Sequence, residues 1–239
     1  KLPEERQTSA ETLEADTLEV LADLNHASQK GLQTIFDSSV GRSTVNHPLG
    51  GRYQITPTEA SVQKLPVQHG VTTTASVMAQ GFNPYVAEWS PYHGAAYAVI
   101  EATARLVAAG ANWSKARFSY QEYFERMDKQ AERFGQPVSA LLGSIEAQIQ
   151  LGLPSIGGKD SMSGTFEELT VPPTLVAFGV TTADSRKVLS PEFKAAGENI
   201  YYIPGQALAQ EIDFDLIKSN FAQSEAIQAT HTVTAASAV

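Results

Sequence analysis

The chain has 239 residues, of which 42% are hydrophobic and 18% charged, proportions that fit a globular protein with a core of its own. Its formal net charge of −9 argues against nucleic acid as a partner, because an acidic surface repels phosphates. It has no cysteine, which excludes thiolate chemistry and fits a reducing cytoplasm, and it has no apolar run of the ~18 residues that a membrane helix needs.

The first part of the chain is predicted to be a helical extension, residues 1–40. Apolar residues at helical spacing between residues 13 and 24 predict one exposed helix, and residues 32–36 predict a second. Residues 40–68 are rich in Gly, Pro, Thr and Ser and are predicted to form a long connection. Because the chain does not begin with methionine, we expect it to be a piece of a longer protein.

The central part begins with a predicted strand, residues 71–78, whose β-branched residues favour extended structure. Ser90 and Pro91 are typical of a helix start, as the N-cap and the first helical residue. Apolar residues at helical spacing follow, and Gly110 is predicted to end the helix in a left-handed conformation.

Two further helices are predicted before the next strand. Residues 121–134 are interpreted as an amphipathic helix that is interrupted at residues 135–137 by glycine and proline. The second helix is predicted to end at Gly152. Its apolar residues are Val138, Leu141, Leu142, Ile145 and Ile149.

Residues 171–182 and 199–203 are predicted to be strands, and residues 214–228 a final helix. Because the helices are grouped rather than alternating with strands, the order predicts an α+β fold, an antiparallel-rich sheet covered by helices.

One segment carries residues suited to phosphate chemistry. It reads Gly157, Gly158, Lys159, Asp160, Ser161, Met162 and Ser163. Glycines let a backbone turn and expose N–H groups, and a lysine with two serines adds a cation and hydroxyl donors. The segment is not a P-loop, because Leu153 takes the place of the first glycine and Asp160 follows the lysine. A loop whose lysine and aspartate face water is the alternative interpretation.

Glu101 and Arg105 lie four residues apart on the predicted helix that follows Pro91. One interpretation is an exposed ion pair, which contributes ~0.3–0.5 kcal/mol to helix stability. The other is that Glu101 is a ligand for nucleotide-bound Mg²⁺. The five histidines lack the close spacing of a zinc site. Ser161 has no accompanying His and Asp in a recognisable order, so we assign no catalytic residue.

The 157–163 segment, after its helix and before the strand that opens with Pro172 and Pro173, resembles the Gly-Lys-Asp-Ser-Met-Ser stretch of the phosphoribosylformylglycinamidine synthases. These are also called formylglycinamidine ribonucleotide synthases, and the resemblance is to the large single-chain form. Residues 50–67 are similar to the loop by which that family enters its second synthetase half, and residues 98–102 to its Ala-Val-Xaa-Glu-Ala helix. The similarity covers about residues 30–205.

The resemblance implies an ATP-dependent ligase of purine biosynthesis in the cytoplasm. ATP would activate the amide oxygen of formylglycinamide ribonucleotide, and ammonia from a glutaminase domain would displace the phosphate. The expected cofactors are ATP and Mg²⁺, and the expected nucleotide-binding residues are Gly157, Gly158, Lys159, Asp160, Ser161 and Ser163. The chain would be a fragment of the second half, inactive alone. Its fold would be that of the N-terminal domain of aminoimidazole ribonucleotide synthetase.

By this resemblance residues 41–185 form the synthetase-like domain, and residues 186–239 begin the following domain after a polar boundary. The expected partners are the rest of the polypeptide, namely the first synthetase half and the glutaminase domain. A second copy, bound through the apolar sheet face, is also expected. Neither a nucleic acid nor a membrane is expected as a partner.

One departure from the family concerns the auxiliary nucleotide site. Arg105 replaces an asparagine that, with the residue equivalent to Glu101, would bind Mg²⁺, and an arginine cannot coordinate a cation. This departure favours a second hypothesis, a structural half with a degenerate site that braces the active half. A stand-alone relative of selenophosphate synthetase or thiamine phosphate kinase is a third, which the lack of an N-terminal aspartate cluster argues against.

Overall fold

The computed structural model describes residues 9–24, 26–28, 30–35, 42–208 and 211–239. Its centre is a six-stranded sheet in the order β1-β4-β5-β10-β6-β7. The strands of this sheet are β1 (Thr44–Asn46), β4 (Ala60–Lys64), β5 (Thr74–Gly81), β6 (Arg117–Tyr123), β7 (Ser155–Lys159) and β10 (Thr174–Asp184). All neighbours are antiparallel except β6 and β7, which are parallel.

Two small hairpins lie outside this sheet. They are formed by β2 (Leu49–Gly50) with β3 (Thr56–Pro57), and by β8 (Thr165–Phe166) with β9 (Leu169–Thr170). The predicted long connection, residues 40–68, was therefore wrong in part, because β1 to β4 lie within it. Ala60 and Val62 alternate with polar residues in β4 and are buried. This alternation gives the short strand one apolar face, which packs into the core.

The described ranges contain six helices, α1 (Leu13–Ala22), α2 (Lys30–Gln33), α3 (Pro84–Trp89), α4 (Pro91–Ala108), α5 (Ala131–Leu151) and α6 (Phe214–Thr230). Helix α4 packs on β5 and β10, and α3, α5 and α6 pack on α4. Helices α1 and α2 bury no residue. A short 3₁₀ turn, Trp113–Lys115, precedes β6. No helix in the described ranges is long and apolar enough to cross a membrane. The fold is thus α+β, with a mainly antiparallel sheet under helices, as predicted.

The exposed N-terminal helix is confirmed, since α1 buries no residue. The second predicted helix is present as the short α2, whereas Phe36, which was assigned to it, lies outside the described residues. The limits of α4 are also confirmed. The Ser90 side chain accepts a hydrogen bond from the N–H of His93, Pro91 follows it, and Gly110 has φ +81° after the last turn.

The helix predicted for residues 121–134 is wrong. Residues 117–123 form β6, in which Phe118, Tyr120 and Glu122 are buried and alternate with more exposed neighbours. This period of two is that of a strand. The interruption at residues 135–137 is also absent, because α5 continues through Pro137. The proline is buried and removes only one hydrogen bond from a long helix that packs on α4.

The strand predicted for residues 199–203 does not form. These residues have no regular secondary structure, and Ile200, Tyr201 and Tyr202 are exposed. A strand needs a neighbour for its backbone groups, and apolar content alone does not supply one. The predicted helix over residues 214–228 is confirmed by α6, whose Phe214 and Phe221 join the core. The domain boundaries at residues 40 and 185 stay a prediction.

Candidate functional site

The 157–163 segment is part strand and part loop. Its first half lies in β7, at the edge of the sheet, where only one side of the strand is paired. Because an edge strand leaves a row of N–H and C=O groups unpaired, the backbone around Gly157 and Gly158 is open to a ligand. The five residues of β7 are all exposed.

The glycines fit this position for different reasons. A Cβ on Gly158 would lie 2.8 Å from the carbonyl oxygen of Tyr120, so β7 approaches β6 too closely there for any side chain. Gly157 has φ +155°, which residues with a side chain rarely adopt. In place of the expected tight glycine turn, the structure therefore has a close contact between strands β6 and β7.

The two charges of the segment lie on opposite faces of the sheet. Lys159 is exposed, and its Nζ lies 5.3 Å from the ring centroid of Tyr123, an outward-facing residue of β6. Asp160, the next residue, acts electrostatically on Glu122, which faces the helices. An anion that approaches the outer face therefore meets the ammonium group of Lys159 rather than the carboxylate of Asp160.

The second half of the segment is fixed to the end of β6. The N–H of Ser161 donates to the carbonyl of Glu122 at 3.0 Å, and the N–H of Phe124 donates to the carbonyl of Ser161 at 2.9 Å. The hydroxyls of Ser161 and Ser163 lie 3.1 Å apart. These backbone bonds hold two hydroxyls beside the open edge of β7.

Sequence reasoning missed Glu122 and Tyr120, which lie beneath the segment. Both are 7% exposed. Burial, and secondarily Asp160, raises the pKa of Glu122 to about 7. Burial and then Glu122 raise the pKa of Tyr120, and its hydroxyl is buried with no hydrogen-bond partner among the described residues. The alternation of β6 was the signal for this pair, and the helical interpretation of residues 121–134 hid it.

The other predicted site residue, Glu101, has both carboxylate oxygens occupied. Oε2 accepts a hydrogen bond from the N–H of Phe82 at 2.8 Å, and Oε1 lies 2.7 Å from Nη2 of Arg105. Arg105 also donates to the carbonyl of Gln80 at 2.7 Å. Burial raises the pKa of Glu101, Arg105 and the Phe82 N–H act against that rise, and Glu59 adds to it.

The neighbouring carboxylate, Glu59, is likewise engaged. It accepts hydrogen bonds from the hydroxyl of Ser237 at 2.8 Å and from the N–H of Ala238 at 2.9 Å. A cation at Glu101 would have to displace the guanidinium of Arg105, so this cluster does not fit Mg²⁺. No group of three or more metal-binding side chains was found in the described part of the chain.

The structure does not bring the two predicted sites together. Gln80, Phe178, Ser119 and Gly157 form one row across β5, β10, β6 and β7. Three strand spacings of about 4.8 Å separate the ends of this row, roughly 14 Å in all. The 157–163 segment and the Arg105 contact at Gln80 are therefore distinct regions of one sheet.

A cleft of about 650 Å³ lies elsewhere, between α4, α5 and the start of α6. Its lining includes the carboxylates of Glu146, Glu211, Asp213 and Asp215. Four acidic groups would repel a phosphate, so this cleft does not suit a nucleotide. The candidate site remains the segment at the sheet edge.

Among solved structures, the chain is similar to PurLQS from Thermotoga maritima, with 19% identity and a TM-score of 0.56 over 70% of this chain and 25% of that one. T. maritima PurL complexed with FGAR has 16% identity and a TM-score of 0.58, over 82% and 28%. PurL complexed with ADP has 18% identity and a TM-score of 0.56, over 72% and 26%.

The chain thus shares the fold of PurL and spans about a quarter of the length of these structures. PurL is an FGAM synthase, that is, a formylglycinamidine ribonucleotide synthase, so the family that the sequence resembles is also the one whose fold the chain shares. No protein-family model and no curated protein matched the chain.

Proposed function

We propose that this chain is one part of an ATP-dependent carbon–nitrogen ligase that converts formylglycinamide ribonucleotide, glutamine and ATP to formylglycinamidine ribonucleotide, ADP, phosphate and glutamate. The observation that supports this proposal is the placement of the 157–163 segment, between α5 and β10 at the edge of a sheet that has the PurL fold. Structures of PurL carry ADP and FGAR. We assign this reaction to purine biosynthesis and the enzyme to the cytoplasm.

In this reaction the γ-phosphoryl group of ATP moves to the amide oxygen, and ammonia then displaces it as inorganic phosphate. The chain has no cysteine, so the glutaminase that releases ammonia would belong to another part of the enzyme. The residues described above bind and orient rather than take part in bond making. For this reason we expect the chain alone to form no product.

The role that we assign to the 157–163 segment is to hold a phosphate group. Lys159 would neutralise its charge from the outer face, and the hydroxyls of Ser161 and Ser163 with the open N–H groups of β7 would donate hydrogen bonds. Any Mg²⁺ that accompanies the nucleotide would need ligands other than Glu101, whose oxygens are occupied.

The test is the Lys159→Met variant in the complete enzyme, with this chain expressed together with the remaining parts. We expect product formation to fall by roughly 10- to 100-fold, since a hydrogen bond between charged groups contributes about 1.5–3 kcal/mol to binding. Lys115→Met, at an exposed lysine of the 3₁₀ turn before β6, is the matched control. Unchanged activity and stability of Lys159→Met would refute the assignment.

A second candidate function is that of a non-catalytic half that braces the active one. The observation that favours it is the Glu101–Arg105 ion pair, which engages the carboxylate that a metal at this position would need. Calorimetry of ADP with Mg²⁺ on the complete enzyme separates the two functions. A single tight ADP site per enzyme would agree with the bracing function. A second tight ADP site that is lost in the Lys159→Met variant would contradict it.

The partner that we propose for the outer sheet face is the first synthetase half, or a second copy of this chain where that half is missing. Met78 of β5 and Val180 of β10 are directly paired and about two-fifths exposed on this face. An apolar sheet face of this kind favours a covering partner. A chain that stays monomeric at high concentration in light scattering would count against self-pairing here.

A further inference from the structure

The outer side of α5 carries an apolar stripe that nothing in the described part of the chain covers. We define the outer stripe by its six members, Phe134, Val138, Leu141, Leu142, Ile145 and Ile149. They are between 42% and 69% exposed. At 100° per residue all six fall within an arc of about 100°, so they form a single face of the helix.

The opposite side of α5 makes the contact with α4, and it does so with small residues. Ala140, Gly143 and Ala147 are buried there, and a Cβ on Gly143 would lie 1.9 Å from the carbonyl oxygen of Tyr92. The core therefore takes the small side of α5, and the large apolar side chains remain outside. This distribution is the reverse of that of an ordinary surface helix, which buries its large apolar residues.

The spacing of the outer stripe matches itself when the helix is reversed. The intervals between successive members are 4, 3, 1, 3 and 4 residues, which read the same in both directions. In an antiparallel pair centred between Leu141 and Leu142, Phe134 lies opposite Ile149 and Val138 opposite Ile145. A two-fold axis pairs each residue with the other in this reciprocal way.

Charge and area agree with this arrangement. No charged residue lies within the arc of the outer stripe; the neutral Gln148 borders it on one side, and Glu146 lies about 40° beyond Leu142 on the other, at the rim of the proposed pair. If a full residue surface is roughly 170 Å², the stripe exposes about 550 Å² on each copy. Two copies would then bury at most about 1,100 Å², just above the roughly 1,000 Å² that a specific interface should exceed.

We propose that the outer stripe is a self-association surface, which takes the same stripe of a second copy of this chain in antiparallel orientation. This interface is separate from the outer sheet face and does not depend on the proposed function. With both surfaces active, copies would join in a row rather than as closed pairs, so each surface must be tested with the other blocked. The Met78→Glu variant blocks the sheet face.

Cysteine cross-linking gives the sharpest test, because the chain has no cysteine of its own. In the Met78→Glu background, Leu142→Cys places two thiols beside the axis, and a short bifunctional maleimide should join the copies. Phe134→Cys alone should not cross-link, because its two thiols lie about 22 Å apart along the helices. Phe134→Cys combined with Ile149→Cys should cross-link again.

Light scattering supplies the equilibrium measurement. We expect Met78→Glu to form dimers and the further change Leu142→Glu to raise the dissociation constant by at least about 30-fold, since the charge enters the interface twice. Ser139→Glu, on the same helix outside the stripe, is the control and should leave the dimer intact. A Met78→Glu protein that is monomeric at about 100 μM, or cross-links through Phe134→Cys alone, would overturn the proposal.

Discussion

The guanidinium of Arg105 lies 2.7 Å from the carboxylate of Glu101, one helical turn away, and also donates to the carbonyl of Gln80 in β5. One arginine thus connects α4 to the sheet. Its side chain is 28% exposed and that of Glu101 33%, so water screens the pair only in part. The contact is therefore more than a surface ion pair.

The Arg105→Met variant should be destabilised by about 1–2 kcal/mol, because Glu101 would keep a half-buried charge and Gln80 would lose a donor. Urea unfolding measures the change. Adding Glu101→Gln should recover part of the loss, since it removes the unpaired charge. Equal stability of Arg105→Met and the parent chain would show that the pair is solvated and energetically neutral.

Glu122 should make the stability of the chain depend on pH. Its pKa is raised from 4.5 to about 7, so the folded state binds this proton more tightly than the unfolded chain does. The contribution of Glu122 is therefore most favourable below pH 4.5 and is lost as the pH rises through 7. At pH 8, Glu122→Gln should be more stable than the parent by up to about 3 kcal/mol, and at pH 4.5 the two should be similar.

Urea unfolding at these two pH values checks the Glu122 prediction. Glu168→Gln is the control, because Glu168 is exposed in the turn between β8 and β9 and should give the same small change at both values. A Glu122→Gln variant that gains nothing at pH 8 would mean that the carboxylate is hydrated in solution.

Two glycines of α5 should respond to alanine in opposite directions. Gly143→Ala places a methyl group 1.9 Å from the Tyr92 carbonyl and should cost about 3 kcal/mol or more, because α4 and α5 would have to separate. Gly135→Ala meets nothing within 4 Å and should stabilise the helix by up to about 1 kcal/mol. Thermal unfolding of the pair tests the close helix crossing, and a tolerated Gly143→Ala would contradict it.

Gly158→Ala should disturb the candidate site through the backbone. Its methyl group would lie 2.8 Å from the Tyr120 carbonyl, so β7 would have to move away from β6 at a cost of about 1–3 kcal/mol. In the complete enzyme we expect product formation to fall with it, because Lys159 follows directly. Gly205→Ala, at an open position, is the control, and both changes are compared by unfolding and by activity.

Local signals were sufficient for some elements and misleading for others. The Ser90 and Pro91 start of α4 and its end at Gly110 are encoded within a few residues, so the sequence alone predicted them. β6 was mistaken for a helix, because apolar residues in 121–134 also fit helical spacing. The alternation over residues 117–123 was the signal for a strand, and the place of β6 between β10 and β7 agrees with it.

The candidate site shows the same division. Lys159, Ser161 and the glycines were predicted from their chemistry, whereas Glu122 and Tyr120 depend on which face of β6 meets the helices. The outer stripe was also read only as an apolar helix face. Whether such a face lies inside or outside depends on the close approach of α4 at Gly143, which spacing along one helix does not reveal.

The row of residues that runs from Gln80 through Phe178 and Ser119 to Gly157 has a consequence for how this surface can change. The spacing between its two ends is set by main-chain hydrogen bonds, and a one-residue slip of β10 would turn the buried Ala177 outward. Substitution of the Phe178 or Ser119 side chain within the row should thus leave the distance between the 157–163 segment and the Arg105 contact unchanged. The backbone pairing of the sheet fixes the distance between the two regions, whichever side chains its outer face carries.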